Sequence, residues 1–139
     1  MVKTRRHGKE ENIKTLVEEC FDDIWRKLGG AANYEEPYMK ALEIALKKRN
    51  IKYARKRLYP LYYENEVVDT NVIDMIINND IIVRFVRYSH YLQYIDQMKK
   101  LLEISGCSCG YIVHFPCESS AETNYVLKCV TLNSDSLCY

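Results

Sequence analysis

The sequence predicts an α+β or α/β domain, a central mixed sheet flanked by helices, in the order α-α-β-β-β-β-α-β-β. Three observations predict it. Apolar residues recur at three- and four-residue steps in three separate stretches, which is the period of a helix with one buried face. Short runs rich in Tyr, Ile and Val lie between the second and third stretches and again after the third, as strands do. The 139 residues, 47% hydrophobic and 28% charged, have the length and composition of one folded domain.

Each element has its own signal. Residues 1–9 read as a flexible basic arm ahead of a single domain over residues 10–139. Ile13, Leu16, Val17, Cys20, Phe21, Ile24 and Leu28 form one stripe on a helix from Glu10 to Leu28. Glu10 and Glu11 at its start and Arg26 and Lys27 at its end suit the helix dipole, and Gly29-Gly30 stops it. A second helix spans Glu35 to Arg49, with Pro37 in the first turn and Tyr38, Ala41, Leu42, Ala45 and Leu46 facing inward. Extended segments follow at Ile51–Leu58 and Leu61–Glu64, separated by Pro60. Val72–Ile77, the turn Asn78-Asn79-Asp80 and Ile81–Tyr88 read as a hairpin, because Asn and Asp tolerate left-handed dihedrals. A third helix from Ser89 to Ile104 buries Leu92, Ile95, Met98 and Leu102 and ends at Gly106. Tyr111–Phe115 and Tyr125–Leu132 complete the set as strands.

Composition narrows the function classes. No apolar run approaches the roughly 20 residues of a membrane span, so no membrane partner is expected. The N-terminus is basic without an apolar core, so no secretory signal is expected and an intracellular setting, cytoplasmic or nuclear, is. Six cysteines, five of them after residue 106, are then read as reduced. Cys107-x-Cys109 is one residue short of a zinc knuckle, so no metal is assigned to them. Net charge is +1, which gives no long-range field for nucleic acid. Charge is nonetheless segregated: residues 40–57 carry +7 and residues 58–80 carry −5. Tyr, Ile, Lys and Asn supply about a third of the chain, pointing to an AT-rich genome such as those of some large DNA viruses and some bacteria.

Beginning at Glu35-x-x-Tyr38-x-x-Ala41-Leu42, the chain resembles the GxxExxR family of the PD-(D/E)XK nuclease superfamily. The likeness continues in order over roughly residues 12–116. Arg55-Lys56-Arg57-Leu58-Tyr59-Pro60-Leu61-Tyr62-Tyr63 is similar to the family's Arg-Gln-x-x-Leu-Pro-Val-Tyr-Tyr stretch. Asp74 with the following hairpin, Gln97 with Leu101 and Leu102, and Gly110 to Phe115 resemble the elements after it. The resemblance implies a nuclease-like fold and a vestigial site at Glu35, Asp74, Arg84, Val86 and Gln97. It also has departures. Ala32 stands where the family motif opens with Gly, and one residue is inserted between Gly29 and Glu35. Arg84 occupies the position of the superfamily's strand Glu, and Val86 that of its Lys.

Those two positions decide the expected chemistry. The superfamily's Mg²⁺ needs carboxylate oxygens, and it polarises a phosphodiester and activates water. A guanidinium in place of a ligand carboxylate changes the local charge by two units. At about 4 Å and an effective dielectric of about 20, each unit pair is worth about 4 kcal/mol. Arg does not deprotonate to relieve this, and Val86 offers neither charge nor proton. No confident catalytic residue, no metal and no cofactor are therefore expected. Mg²⁺ enters only in the alternative of a site rearranged around Glu64, Asp69, Asp80 and Arg87. Arg84 is expected to fill the vacated metal position and pair with Glu35 and Asp74.

The favoured function is an inactive nuclease-like scaffold that binds a protein or a second copy of itself. Tyr59, Tyr62 and Tyr63, with Tyr88, Tyr91 and Tyr94, supply contacts of the kind enriched at interfaces. The alternative is a non-cleaving nucleic-acid module using Lys47, Lys48, Arg49, Lys52, Arg55, Lys56 and Arg57, helped by Arg5 and Arg6 on the arm.

Overall fold

A computed structural model describes residues 2–32, 35–87, 91–117 and 124–133, and for residues 2–12 and Tyr91 the backbone alone. The elements are α1 (Val2–Leu28), α2 (Glu36–Lys48), β1 (Tyr53–Tyr63), β2 (Glu66–Ile77), β3 (Ile81–Phe85), α3 (Tyr91–Ser105), β4 (Cys109–His114) and β5 (Val126–Val130). The five strands form one sheet in the order β1-β2-β3-β4-β5. Only β3 and β4 pair in parallel; the other neighbours are antiparallel. A parallel pair needs a crossover, and α3 supplies it.

Three boundaries differ from the sequence reading. There is one strand fewer, because Pro60 does not break β1. It lies in an edge strand opposite Thr70, where a missing outward N–H removes no ladder bond. Glu64 and Asn65, both left-handed at φ 47° and 69°, then turn the chain directly into β2. So β2 begins at Glu66 rather than Val72. At the N-terminus the segment read as a flexible arm is helical backbone from Val2 onward. It contains no proline, and the single Gly8 costs a helix only about 1 kcal/mol. Tyr88, Ser89, His90 and Cys138 lie outside the described residues.

The sheet separates two apolar clusters. On one face Val17, Phe21, Leu42 and Leu46 of α1 and α2 cover Met75, Val83, Phe85 and Tyr111. On the other, Met98 and Leu102 of α3 cover Ile73, Ile76, Ile82 and Ile112. Each fully buried side chain of this kind contributes about 1.5–3 kcal/mol. Leu92, expected in this core, is 83% exposed. It sits six residues before Met98, which is about 240° around the helix and off the inner face. Close packing of α3 is possible because β4 carries Gly110, where a Cβ would collide with Met98 Sδ and Cγ.

Polar contacts fix the first helix. Tyr111 donates to Glu18 Oε2 at 2.6 Å and Tyr125 to Asp22 Oδ1. Tyr38 clamps the α1–α2 connection: its hydroxyl donates to Gly29 O at 2.7 Å and accepts from Ala32 N. Its ring stacks on Phe85 and meets Phe115 edge-on. Among the described residues no helix is long and apolar enough to cross a membrane.

Candidate functional site

Asp74 lies where β2 loses its partners on both sides. The β2–β3 ladder runs from Ile77↔Ile81 to Met75↔Val83 and stops one step before Asp74 and Arg84 would face each other. Beyond that point β3 pairs with β4, Arg84 opposite Ile112. On the other side, the β1–β2 ladder skips Lys56 and Asp74. Lys56 is left-handed, at φ 54°. Side chains two apart on a strand should share a face. Here Ile73 belongs to the α3 side and Met75 to the α1/α2 side. The strand therefore rolls over at Asp74. Its carbonyl accepts a hydrogen bond from Arg55 Nε at 2.9 Å.

Arg84 does not form the expected salt bridge. Its Nη1 donates to Gln97 Oε1 at 3.0 Å, and its guanidinium lies over the Tyr94 ring, 5.3 Å from the centroid. Gln97 and Tyr94 are three residues apart on α3, hence on one face. The physical reason is geometric: Asp74 is turned by the rolled strand, and Glu35 sits at the α2 N-terminus beside the other layer. Glu35 is the N-cap residue with helical dihedrals and makes no capping bond. The structure thus brings Arg84 together with Gln97, and among the described residues Arg84 forms no ion pair with Glu35 or Asp74. Val86 is 6% exposed, in the apolar cluster of α3. Its amide donates to Val113 O, and its carbonyl is 3.1 Å from His114 Nδ1.

These residues do not fit a divalent metal. The position that the resemblance assigns to a ligand carboxylate holds a cation, Arg84, bonded to a neutral amide oxygen, and the position it assigns to the lysine holds Val86, packed in the core. Among the described residues no group of three or more His, Cys, Asp or Glu side chains is placed to hold a metal ion. The residues considered for a rearranged site do not converge. Asp80 accepts from Ser108 N and Oγ, Asp69 accepts from its own neighbour Thr70 N, and Glu64 is in the β1–β2 turn.

A different ionic cluster does form, and sequence reasoning missed it. Arg55, 17% exposed, donates to Glu43 Oε2 at 2.6 Å and to both carboxylate oxygens of Glu36 at 3.2 Å. Tyr53 also donates to Glu43. Glu36 and Glu43 are seven residues apart, so two turns place them on one face of α2; that spacing was the available signal. Arg55 is consequently withdrawn from the basic patch. Arg49 donates to Ala45 O on its own helix, and Arg57 to Asn79 Oδ1. Lys47, Lys48, Lys52 and Lys56 remain exposed.

Cys20, Cys107 and Cys109 are free thiols. A hydrogen bond from Cys129 holds the Cys109 thiol below its ordinary range, and Lys14 adds to the effect. Burial pushes the Cys20 thiol up.

Two helices on one face, a third on the other, and a strand pair that parts at an acidic position make up the nuclease-type scaffold that the family resemblance implied. Residues 11–126 match the sequence profile of the PD-(D/E)XK nuclease superfamily, and the chain belongs to that superfamily. Two solved structures are similar to it. One is an alkaline exonuclease from Laribacter hongkongensis, at 11% identity and a TM-score of 0.49, covering 70% of this chain and 54% of that one. The other is the protein SSO0001, at 18% identity and a TM-score of 0.49, covering 91% and 61%. The chain therefore spans little more than half the length of either. No curated protein matches the sequence significantly.

Proposed function

We propose that this chain is a catalytically inactive, GxxExxR-type member of the superfamily that works as a structural or protein-interaction module, self-association included. The observation that carries this reading is Arg84, a permanent cation in a ligand position, held by Gln97 and Tyr94. The buried Val86 supports it, since the position provides no charge to orient water or balance a leaving group. Residue usage supports a source with an AT-rich genome, such as a large DNA virus.

The test is cleavage of fluorescent single- and double-stranded DNA with Mg²⁺ or Mn²⁺. The expected result is no cleavage above an Asp74→Ala control. Metal-dependent cleavage that disappears in that control would overturn the reading and favour the rearranged nuclease. The exposed lysines at 47, 48, 52 and 56 favour a second reading, a non-cleaving nucleic-acid module. Four phosphate contacts would give a slope of about −3.6 for log K against log salt. A mobility shift with that salt dependence would select the second reading over the first.

A further inference from the structure

β1 and β2 extend well beyond the rest of the sheet. β3 pairs with β2 only from Met75 to Ile77, so residues 58–72 form a ribbon with no third strand beside it among the described residues. A bare two-stranded ribbon is marginal in water unless something packs on it. The register sorts its faces. The opposed pairs Leu58–Val72, Pro60–Thr70 and Tyr62–Val67 share one face. All six residues are exposed and none is charged. Leu58 and Tyr62 are each 61% exposed, Val67 54% and Val72 50%. Asp69 and Glu66 interrupt the opposite face. The uncharged face presents about 500 Å², near the upper end for the largest apolar patch on a monomer.

Charge identifies what covers it. The turn at the outer end of the ribbon carries Glu64, and residues 58–72 contain no cation. Its root carries Lys52, Lys56 and Arg57. An antiparallel copy would lay each acidic end over the other's basic root, twice, about one two-fold axis. Nucleic acid is disfavoured by the neutral face and acidic tip.

We infer that the Leu58–Val72 face of this ribbon is the surface through which two copies of this chain pair, ribbons antiparallel and crossing near Pro60 and Thr70. This rests on the interaction-module reading and names its partner. Pro60, lacking an N–H at the middle of the edge strand, opposes backbone pairing of β1 with a second β1, so the contact is face to face. Two such faces bury about 1,000 Å² together, the threshold for a stable interface, and the charged ends add to it.

The test is light scattering after size exclusion on the full chain at tens of micromolar. The expected mass is twice 16.4 kDa. Tyr62→Asp with Val72→Asp should give the single mass, with unchanged circular dichroism. Glu64→Lys should weaken pairing about tenfold or more, and adding Lys56→Glu should recover most of the loss. Hydrogen exchange of the unaltered chain needs no variant: amides of residues 58–72 should gain protection as concentration rises. A chain monomeric at every concentration, or a dimer indifferent to Tyr62→Asp and unprotected at 58–72, overturns the inference. The two readings fail separately. An inert monomer sinks only the pairing, and a ribbon dimer that cleaves DNA sinks only the inactive assignment.

Discussion

Truncating Arg55 to alanine should cost about 2–3 kcal/mol, far more than an ordinary cation on an edge strand. The guanidinium is 17% exposed and binds Glu43, Glu36 and the Asp74 carbonyl. Each charge-assisted bond is worth about 1.5–3 kcal/mol when its partner is left stranded. The partners are not fully stranded, since Glu43 is 25% and Glu36 42% exposed. Water then recovers much of their solvation, which brings Glu36 down to the surface value of about 0.5 kcal/mol and leaves Glu43 as the largest share. In a chain of 139 residues the loss corresponds to a Tm lower by about 6–10 °C. Calorimetry and urea unfolding read it. Arg55→Lys should recover less than half, because one ammonium cannot reproduce a three-sided fork. Arg57→Ala, which loses one exposed bond to Asn79, is the control and should cost under about 1 kcal/mol. If Arg55→Ala falls within about 1 kcal/mol of the parent, or matches Arg57→Ala, the cluster is not what ties β1 to α2.

Gly110→Ala should destabilise by about 1–3 kcal/mol, because its Cβ must displace Met98. Paired with Met98→Ala the two losses should add to less than their sum in a double-mutant cycle. Leu92→Lys should leave urea unfolding within about 0.5 kcal/mol of the parent, whereas Met98→Ala should cost about 2–5 kcal/mol. Stability should also fall at alkaline pH. Burial and Glu18 raise the Tyr111 phenol, and burial and Asp22 raise Tyr125, both from the ordinary 10.0. The unfolded chain therefore loses these protons first, so their contribution is complete below pH 10 and is lost as pH rises above it. The slope should approach about 2.7 kcal/mol per pH unit for the two groups together, and Tyr111→Phe should halve it. Denaturant titrations between pH 9 and 12 measure it.

What the sequence reveals is what short-range pattern encodes. The stripe from Ile13 to Leu28, the Asn78–Asp80 turn and the Gly106 stop all lie where periodicity and turn chemistry put them. Pro60 misleads because a proline reports only that an N–H is missing. Whether the strand breaks depends on whether it is an edge, which is a property of the whole sheet. Leu92 misleads because four apolar residues at helical spacings define a stripe only to within a turn. Order and spacing in the family resemblance are enough to assign positions to a vestigial site, and those assigned positions are readable in the sequence. Their partners are not, because the roll of β2 at Asp74 depends on Lys56 across the ladder and on Arg55 holding the Asp74 carbonyl. Glu35, Asp74 and Arg84 look like neighbours to any reading that assumes regular alternation.

On the inactive reading, that roll bears on how a nuclease scaffold loses its chemistry without losing its fold. A working metal site holds like charges together, and the ion is what makes their proximity tolerable. In this chain no such debt is left standing. Arg84 takes a neutral oxygen and an aromatic face, the α2 carboxylates are neutralised by Arg55, and Asp74 is turned at an opened ladder. Each group has a solution that needs no ion, and the solutions are on different elements. On the inactive reading Arg84→Glu alone would not restore metal-dependent cleavage, because Arg55 would still neutralise the α2 carboxylates. On the same reading the β1–β2 hairpin, which runs out to Glu64 and Asn65 with an uncharged face, serves a partner rather than a cleft.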